Sequence, residues 1–230
     1  WGSHLVDFHR WLKKQPKQRG TGTLSDNSAK QIAGAIRSYM RHVGLPLSLT
    51  RAQKDELDKV EKLAYKDYIV DLQTKEELLR KANPLEEYIV CAGISFGLRI
   101  SDFVGITRGI LEPYLDKEVP IQLPKIITKK RGEVAYPFID GDAKQAIERL
   151  LKQMDKEGRT SSDEHMIKLV DRRKHPENAV NIILQNLAEK SGIKLGKYRL
   201  RFHCLRKFLT DKLSAVCSTD KWKWFVGKSV

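Results

Sequence analysis

Cysteine is scarce in this chain. Among 230 residues there are three, Cys91, Cys204 and Cys217. An odd, widely spaced set is no disulfide framework, and without a Cys-x-x-Cys pair no structural zinc is expected. The expected setting is reducing and cytoplasmic. Long apolar runs are also missing. Nothing approaches the roughly 20 residues that span a bilayer, and no Lys/Arg-rich amphipathic helix with a Trp/Leu face stands out, so no membrane partner is expected. There is no internal repeat and no low-complexity tract, and a secretory leader is not expected. No carboxylate or Cys/His cluster has ligand spacing, so neither metal nor cofactor is expected. Acid is in short supply, 29 Asp and Glu against 43 Lys and Arg, a net charge of +14.

What remains is an ordinary globular composition, 40% hydrophobic and 31% charged, with a surface that draws polyanions from a distance. Double-stranded DNA is the first candidate partner. Leu5, Phe8, Trp11 and Leu12 share helical spacing and predict a first helix that ends near Pro16. Lys17 to Thr23 reads as a basic loop. Ser25 caps a second helix with an apolar stripe of Ile32, Ile36, Tyr39, Met40 and Val43, stopped by Gly44 and Pro46. Its other face carries Lys30, Arg37 and Arg41, candidates for DNA contact. A charged helical segment runs from Arg51 to about Tyr68. Thr74 to Glu77 has the form of a capping box and predicts a domain start. Asn83-Pro84 opens a helix that is apolar nearly all round to Phe96, the pattern of a central buried helix.

Ile126-Ile127-Thr128 and Val134-Ala135-Tyr136 flank a basic tip and predict a β-hairpin. Two amphipathic helices follow, Asp142 to Glu157 and Pro176 to Lys190, with a polar segment from Arg159 to His175 between them. A last helical region begins at Arg201. The expected fold class is mainly α with one small antiparallel β-hairpin.

Three segments carry candidate chemistry. In Gly97-Leu98-Arg99-Ile100-Ser101-Asp102, the glycine turns the chain, Arg99 begins a short helix and Asp102 lies one turn on. An arginine emerging from apolar helices is costly unless it meets a fixed anion, and its planar fork suits a phosphate. Asp102 either orients that fork or makes with Arg99 a buried pair that ties two helices. His203 and Arg206, at i and i+3, share a helix face and offer a second fork with a proton carrier beside it; a plain surface pair is the alternative. Lys129, where a strand meets its turn, can swing its ammonium into a cleft as a general acid, or is a solvated hairpin tip. Lys130, Arg131, Arg201 and Lys207 are further candidates for DNA contact.

Taken in order, these segments resemble the tyrosine recombinase and phage-integrase family. Gly97 to Asp102 matches its first arginine box, and His203-x-Leu205-Arg206 its second. Tyr136-Pro137-Phe138 resembles the strand that follows the family's hairpin lysine, which sets Lys129 in register. Thr74 to Glu77 resembles the beginning of its catalytic domain. The residues Phe8, Trp11-Leu12, Ser25 and Tyr39 resemble its helical core-binding domain. Phe225-Val226-Gly227-Lys228 aligns with a Leu-Gly-His or Leu-Gly-Trp step, with Lys228 in the aromatic place, as a phosphate ligand or a simple DNA-backbone contact.

The resemblance implies two domains, a DNA-binding one at 1–70 and a catalytic one at 71–230. It implies site-specific recombination by metal-independent strand cleavage through a 3′-phosphotyrosine, in a tetramer on two DNA sites, as in mobile elements. Arg99 and Arg206 would clamp the scissile phosphate, His203 would assist, Lys129 would protonate the leaving oxygen and Asp102 would support Arg99. The family's tyrosine is expected a few residues past Val230, since Tyr198 is the last of the seven present. Two other readings stay open. One is a catalytically inactive DNA-binding module on the same fold. The other is a basic helical protein in which every box is structural.

Overall fold

A computed structural model describes residues 2–16, 23–58, 66–130, 132–168 and 176–227. Arg131, Lys228, residues 17–22 of the expected basic loop and residues 169–175 lie outside these. The chain divides into two compact units, Trp1–Ala64 and Tyr65–Val230.

The first unit holds α1 (Gly2–Lys14), α2 (Asp26–His42) and α3 (Arg51–Asp58). Ser25 caps α2 as its sequence predicts, its side chain accepting from Ser28 N–H at 3.2 Å. Leu5, Val6, Ala33, Leu49 and Leu57 form the core. The apolar faces differ from expectation. On α1, Val6 and His9 are buried while Trp11 is exposed, because at 3.6 residues per turn Trp11 lies well round from Leu5. On α2, the buried line is Ala29, Ala33 and, partly, Ile36. Ile32, Tyr39 and Val43 face solvent; small side chains let α2 pack closely, and the large ones are left outside. Ion pairs Arg10–Glu56 at 2.6 Å and Lys13–Asp26 at 3.0 Å close the unit's surface.

The helical segment expected from Arg51 to about Tyr68 crosses residues 59–65, which lie outside the described ones; in the second unit Lys66–Asp67 is strand β1, not helix, and pairs in parallel with β6 (Tyr198–Arg199). Next comes α4 (Leu72–Leu79), and here the expected capping box is corrected. Asp71 is the cap, accepting Thr74 N–H at 2.7 Å, and Thr74 is buried inside the helix. A carboxylate reaches the free amides of the first turn and complements its positive end. The Thr74 side chain first, and then its backbone N–H, hold the Asp71 carboxyl below its ordinary range.

The centre is α5 (Pro84–Phe96), opened by an Asn83–Glu86 capping box and buried from Tyr88 onward. It packs against α8 (Gly141–Lys156) and α10 (Phe202–Val216), with α4 and α9 (Pro176–Lys190) beside it. After α5 come α6 (Ile100–Phe103) and α7 (Arg108–Leu111), and α11 (Thr219–Val226) follows α10. The expected hairpin is β3 (Ile126–Ile127) with β4 (Val134–Ala135), antiparallel in the register Ile126 to Ala135. A second antiparallel pair joins β2 (Ile121–Gln122) to β5 (Phe138–Ile139). The fold is therefore mainly α with small sheets, and no helix of the described residues is long and apolar enough to cross a membrane.

Candidate phosphate-binding site

Three packing devices bring distant segments to one place. The first is Gly97, which ends α5 at φ +57°, a conformation costly for any residue with a Cβ. A Cβ there would also meet Leu209 Cδ2 at 2.5 Å and Val226 at 2.9 Å, so glycine lets α10 and α11 close on the turn that carries Arg99. The second is an aromatic cluster. Phe103 lies 5.2 Å from Tyr88, 6.1 Å from Phe96 and 4.6 Å from Phe202, ring to ring. It fastens Asp102 on one side and the start of α10, with His203 and Arg206, on the other. The third is Gly227, at φ +63°, seated on the hairpin base where a Cβ would meet Ala135 and Thr128 at 3.0 Å. Stacking of Tyr136 on Trp224, centroids 4.0 Å apart, reinforces that seat.

Arg206 is buried at 4% exposure. Burial and the like charge of Arg99 push its guanidinium down to about 10, while Asp102 and Glu133 pull the other way. Those causes place two arginines and two carboxylates in one charge cluster. Arg99 donates from Nη2 to Glu133 Oε2 at 3.1 Å. The expected Arg99–Asp102 pair is not formed. Asp102 Oδ1 instead accepts the backbone N–H of Lys129 at 2.9 Å, because α6 turns the short carboxylate toward the hairpin. Asp102 thus positions the lysine segment, and the reading of Arg99 and Asp102 as a helix-tying pair fails. The Lys129 ammonium rests against Gly105 and borders a cleft of about 500 Å³ with His165 and Lys168.

The remaining candidates fall as follows. His203 and Arg206 share one cleft, as their spacing predicts, with Lys207, Thr210, Ser214 and Trp222, about 320 Å³ in volume. Lys130 is exposed at the hairpin tip. Arg201 is engaged with Asp67, from Nε at 3.0 Å and also from Nη2, and staples β1 with its side chain 45% exposed. Lys30, Arg37 and Arg41 sit on α2 of the first unit. Arg131 and Lys228 lie outside the described residues. Sequence reasoning missed Glu133, His165, Lys168 and Trp222. The one signal for Glu133 was its sign, an acid closing an otherwise basic tip.

Buried polar atoms seldom lack partners. Among the described residues eight buried side-chain atoms have none, and four of them belong here: Arg99 Nη1, Asp102 Oδ2, Thr128 Oγ1 and Arg206 Nη1. Structural arginines in the same unit behave otherwise. Arg108 binds Glu112 at 2.8 and 2.6 Å and Asp155 at 2.5 Å. Arg159 binds the His165 carbonyl at 2.5 Å. Among the described residues no group of three or more His, Cys, Asp or Glu is arranged to hold a metal ion.

No protein-family model matches the sequence, and no curated protein matches it either. Solved structures do match. The Tn1549 transposon integrase in complex with a circular intermediate DNA superposes with TM-score 0.65 at 14% identity, over 100% of this chain and 78% of that one. The fold is that of the tyrosine recombinases and integrases. A lambda integrase dimer bound to a core site gives TM-score 0.57 at 15% identity, over 100% of this chain and 75% of that one. XerA recombinase gives 0.54 at 14%, again over 100% and 75%.

Proposed function

We propose that this protein binds double-stranded DNA and recombines it at specific sites, by metal-independent cleavage and rejoining. The observation that carries the reading is the pair of buried guanidinium atoms, Arg99 Nη1 and Arg206 Nη1, that no described residue satisfies. Two forks with donors to spare, set among apolar helices, suit a phosphodiester's non-bridging oxygens and the charge that builds there in the transition state. A tyrosine hydroxyl attacks phosphorus as its proton passes to His203, a 3′-phosphotyrosine forms, and the 5′ oxygen leaves with a proton from Lys129. His203 assists at the cleft it shares with Arg206. Lys228 is assigned a phosphate contact. The attacking tyrosine belongs after the second arginine box, and no tyrosine of this sequence lies there. The net charge of +14 supports DNA as partner, and the folds it resembles include a dimer on a core site. The working assembly is a tetramer on two sites, with 1–70 gripping DNA and 71–230 acting on it, in the cytoplasm.

The test is covalent capture. The protein as it occurs in its cell is incubated with a library of nicked random duplexes and separated under denaturing conditions. Wild type retains DNA through a phosphotyrosine. Arg99→Ala and Arg206→Ala lower that yield by about 10²–10³, the typical value of one transition-state donor, and keep most of the binding. Equal capture by both variants overturns the clamp. Binding without capture in wild type means a DNA-binding module on the same fold.

A further inference from the structure

The arginine pair is not empty of anions. Glu133 reaches it from the hairpin, its carboxylate 3.1 Å from Arg99, with both side chains mostly buried (21% and 14% exposed). It also acts on Arg206. With Asp102 in the same cluster, two carboxylates offset the two guanidiniums, so an entering phosphate competes with Glu133 for Arg99. One carboxylate has to leave for the clamp to work, and the two differ in how they are held. Asp102 is 5% exposed on a helix pinned by Phe103, and it anchors Lys129 N–H at 2.9 Å. Glu133 lies outside strand β4, at the end of the tip. Its backbone carbonyl accepts Thr128 N–H at 2.8 Å, so its side chain can leave Arg99 by rotation before the tip itself moves.

Resting on the phosphate-clamp reading, we infer that Glu133 is a latch, an internal stand-in for phosphate that holds Arg99 until a DNA phosphate displaces it. The latch couples two events. Glu133 ends the tip that Lys129 begins, and the same tip is tied to Asp102. Release of Glu133 from Arg99 therefore loosens the segment that carries the proposed general acid at the moment a phosphate arrives. Off DNA, the two guanidiniums are compensated and the lysine segment is held, so the site rests in an idle state.

A latch closed about nine-tenths of the time weakens apparent binding about tenfold. The probe is inorganic phosphate, titrated calorimetrically into the full chain, with hydrogen exchange of the hairpin amides followed in parallel. Glu133→Gln keeps the size and loses the charge. It binds phosphate about tenfold tighter than wild type, and its tip amides exchange fast with or without phosphate. Wild-type tip amides speed up only when phosphate is added. Glu133→Ala gives the same gain and covers a Gln variant that fails to fold. If both variants bind no tighter than wild type while Arg99→Ala abolishes binding, the latch is wrong and the clamp stands. If Arg99→Ala and Arg206→Ala bind phosphate as wild type does, the clamp itself fails and the latch with it.

Discussion

Asp102 is the residue whose replacement tells most about how the site is held. Its carboxylate is buried and accepts the Lys129 N–H at 2.9 Å. Asp102→Ala removes that acceptor and one of the two carboxylates that act on Arg206. A hydrogen bond to a charged group contributes about 1.5–3 kcal/mol. For a unit of this size each kcal/mol moves Tm by about 2–4 °C, so the expected drop is roughly 3–12 °C. Asp102→Asn keeps an oxygen in place at about half the strength of a charged acceptor, and its drop is about half as large. The assay is thermal unfolding joined to hydrogen exchange at the Lys129 amide, which loses protection in Ala and keeps part of it in Asn. An Ala variant with unchanged Tm and a protected Lys129 amide would refute the assignment of Asp102 as the hairpin's anchor.

Further expectations are independent of it. Neutralising Lys30, Arg37 or Arg41 flattens the salt dependence of DNA binding by about one unit each; an unchanged slope removes that face from the interface. His9 is fully buried in the first unit, both ring nitrogens unpartnered among the described residues. Burial first, then Lys13, lowers its pKa against the opposing pull of Asp26 and Glu56. The unfolded chain therefore takes up the proton first, and this group's contribution is lost as pH falls below the ordinary value of about 6.5. Denaturant titrations of wild type and His9→Leu at pH 7.5 and 5.5 check this, with a smaller loss in the variant; equal losses sink it. Gly97→Ala places a Cβ at φ +57° against Leu209 and costs about 1–3 kcal/mol, read as a lower denaturation midpoint with Arg206 function impaired; a midpoint equal to wild type would show that the turn relaxes freely.

Local chemistry was legible in the sequence, and long-range pairing was not. The Ser25 and Asn83 caps, the apolar α5, the glycine turn at Gly97 and the hairpin around Lys129 each have a signature within a few residues, and the structure has them all. The Thr74 capping box failed because Asp71, three residues earlier, is the better cap. The α2 stripe failed because the close-packed face is made of alanines, which carry little weight in a pattern of large apolar residues. The strands β1, β2 and β6 are two residues each, too short for a period of two to show. At the site, the segments were readable but the partners were not. A carboxylate three residues from an arginine suggests a pair, yet Arg99 takes Glu133 from 34 residues away and Asp102 takes a backbone amide.

The short parallel pairing of β1 with β6 also has a mechanical side. Lys66 N–H bonds the Lys197 carbonyl at 3.2 Å and Tyr68 N–H the Arg199 carbonyl at 3.0 Å, with Arg201 clasping Asp67 beside them. A pull along the chain at Lys66 loads these bonds in shear, and β6 hands the force directly to the first turn of α10. That turn carries His203, and Arg206 opens the next one. A load on β1 is thus delivered a few residues from the buried arginine.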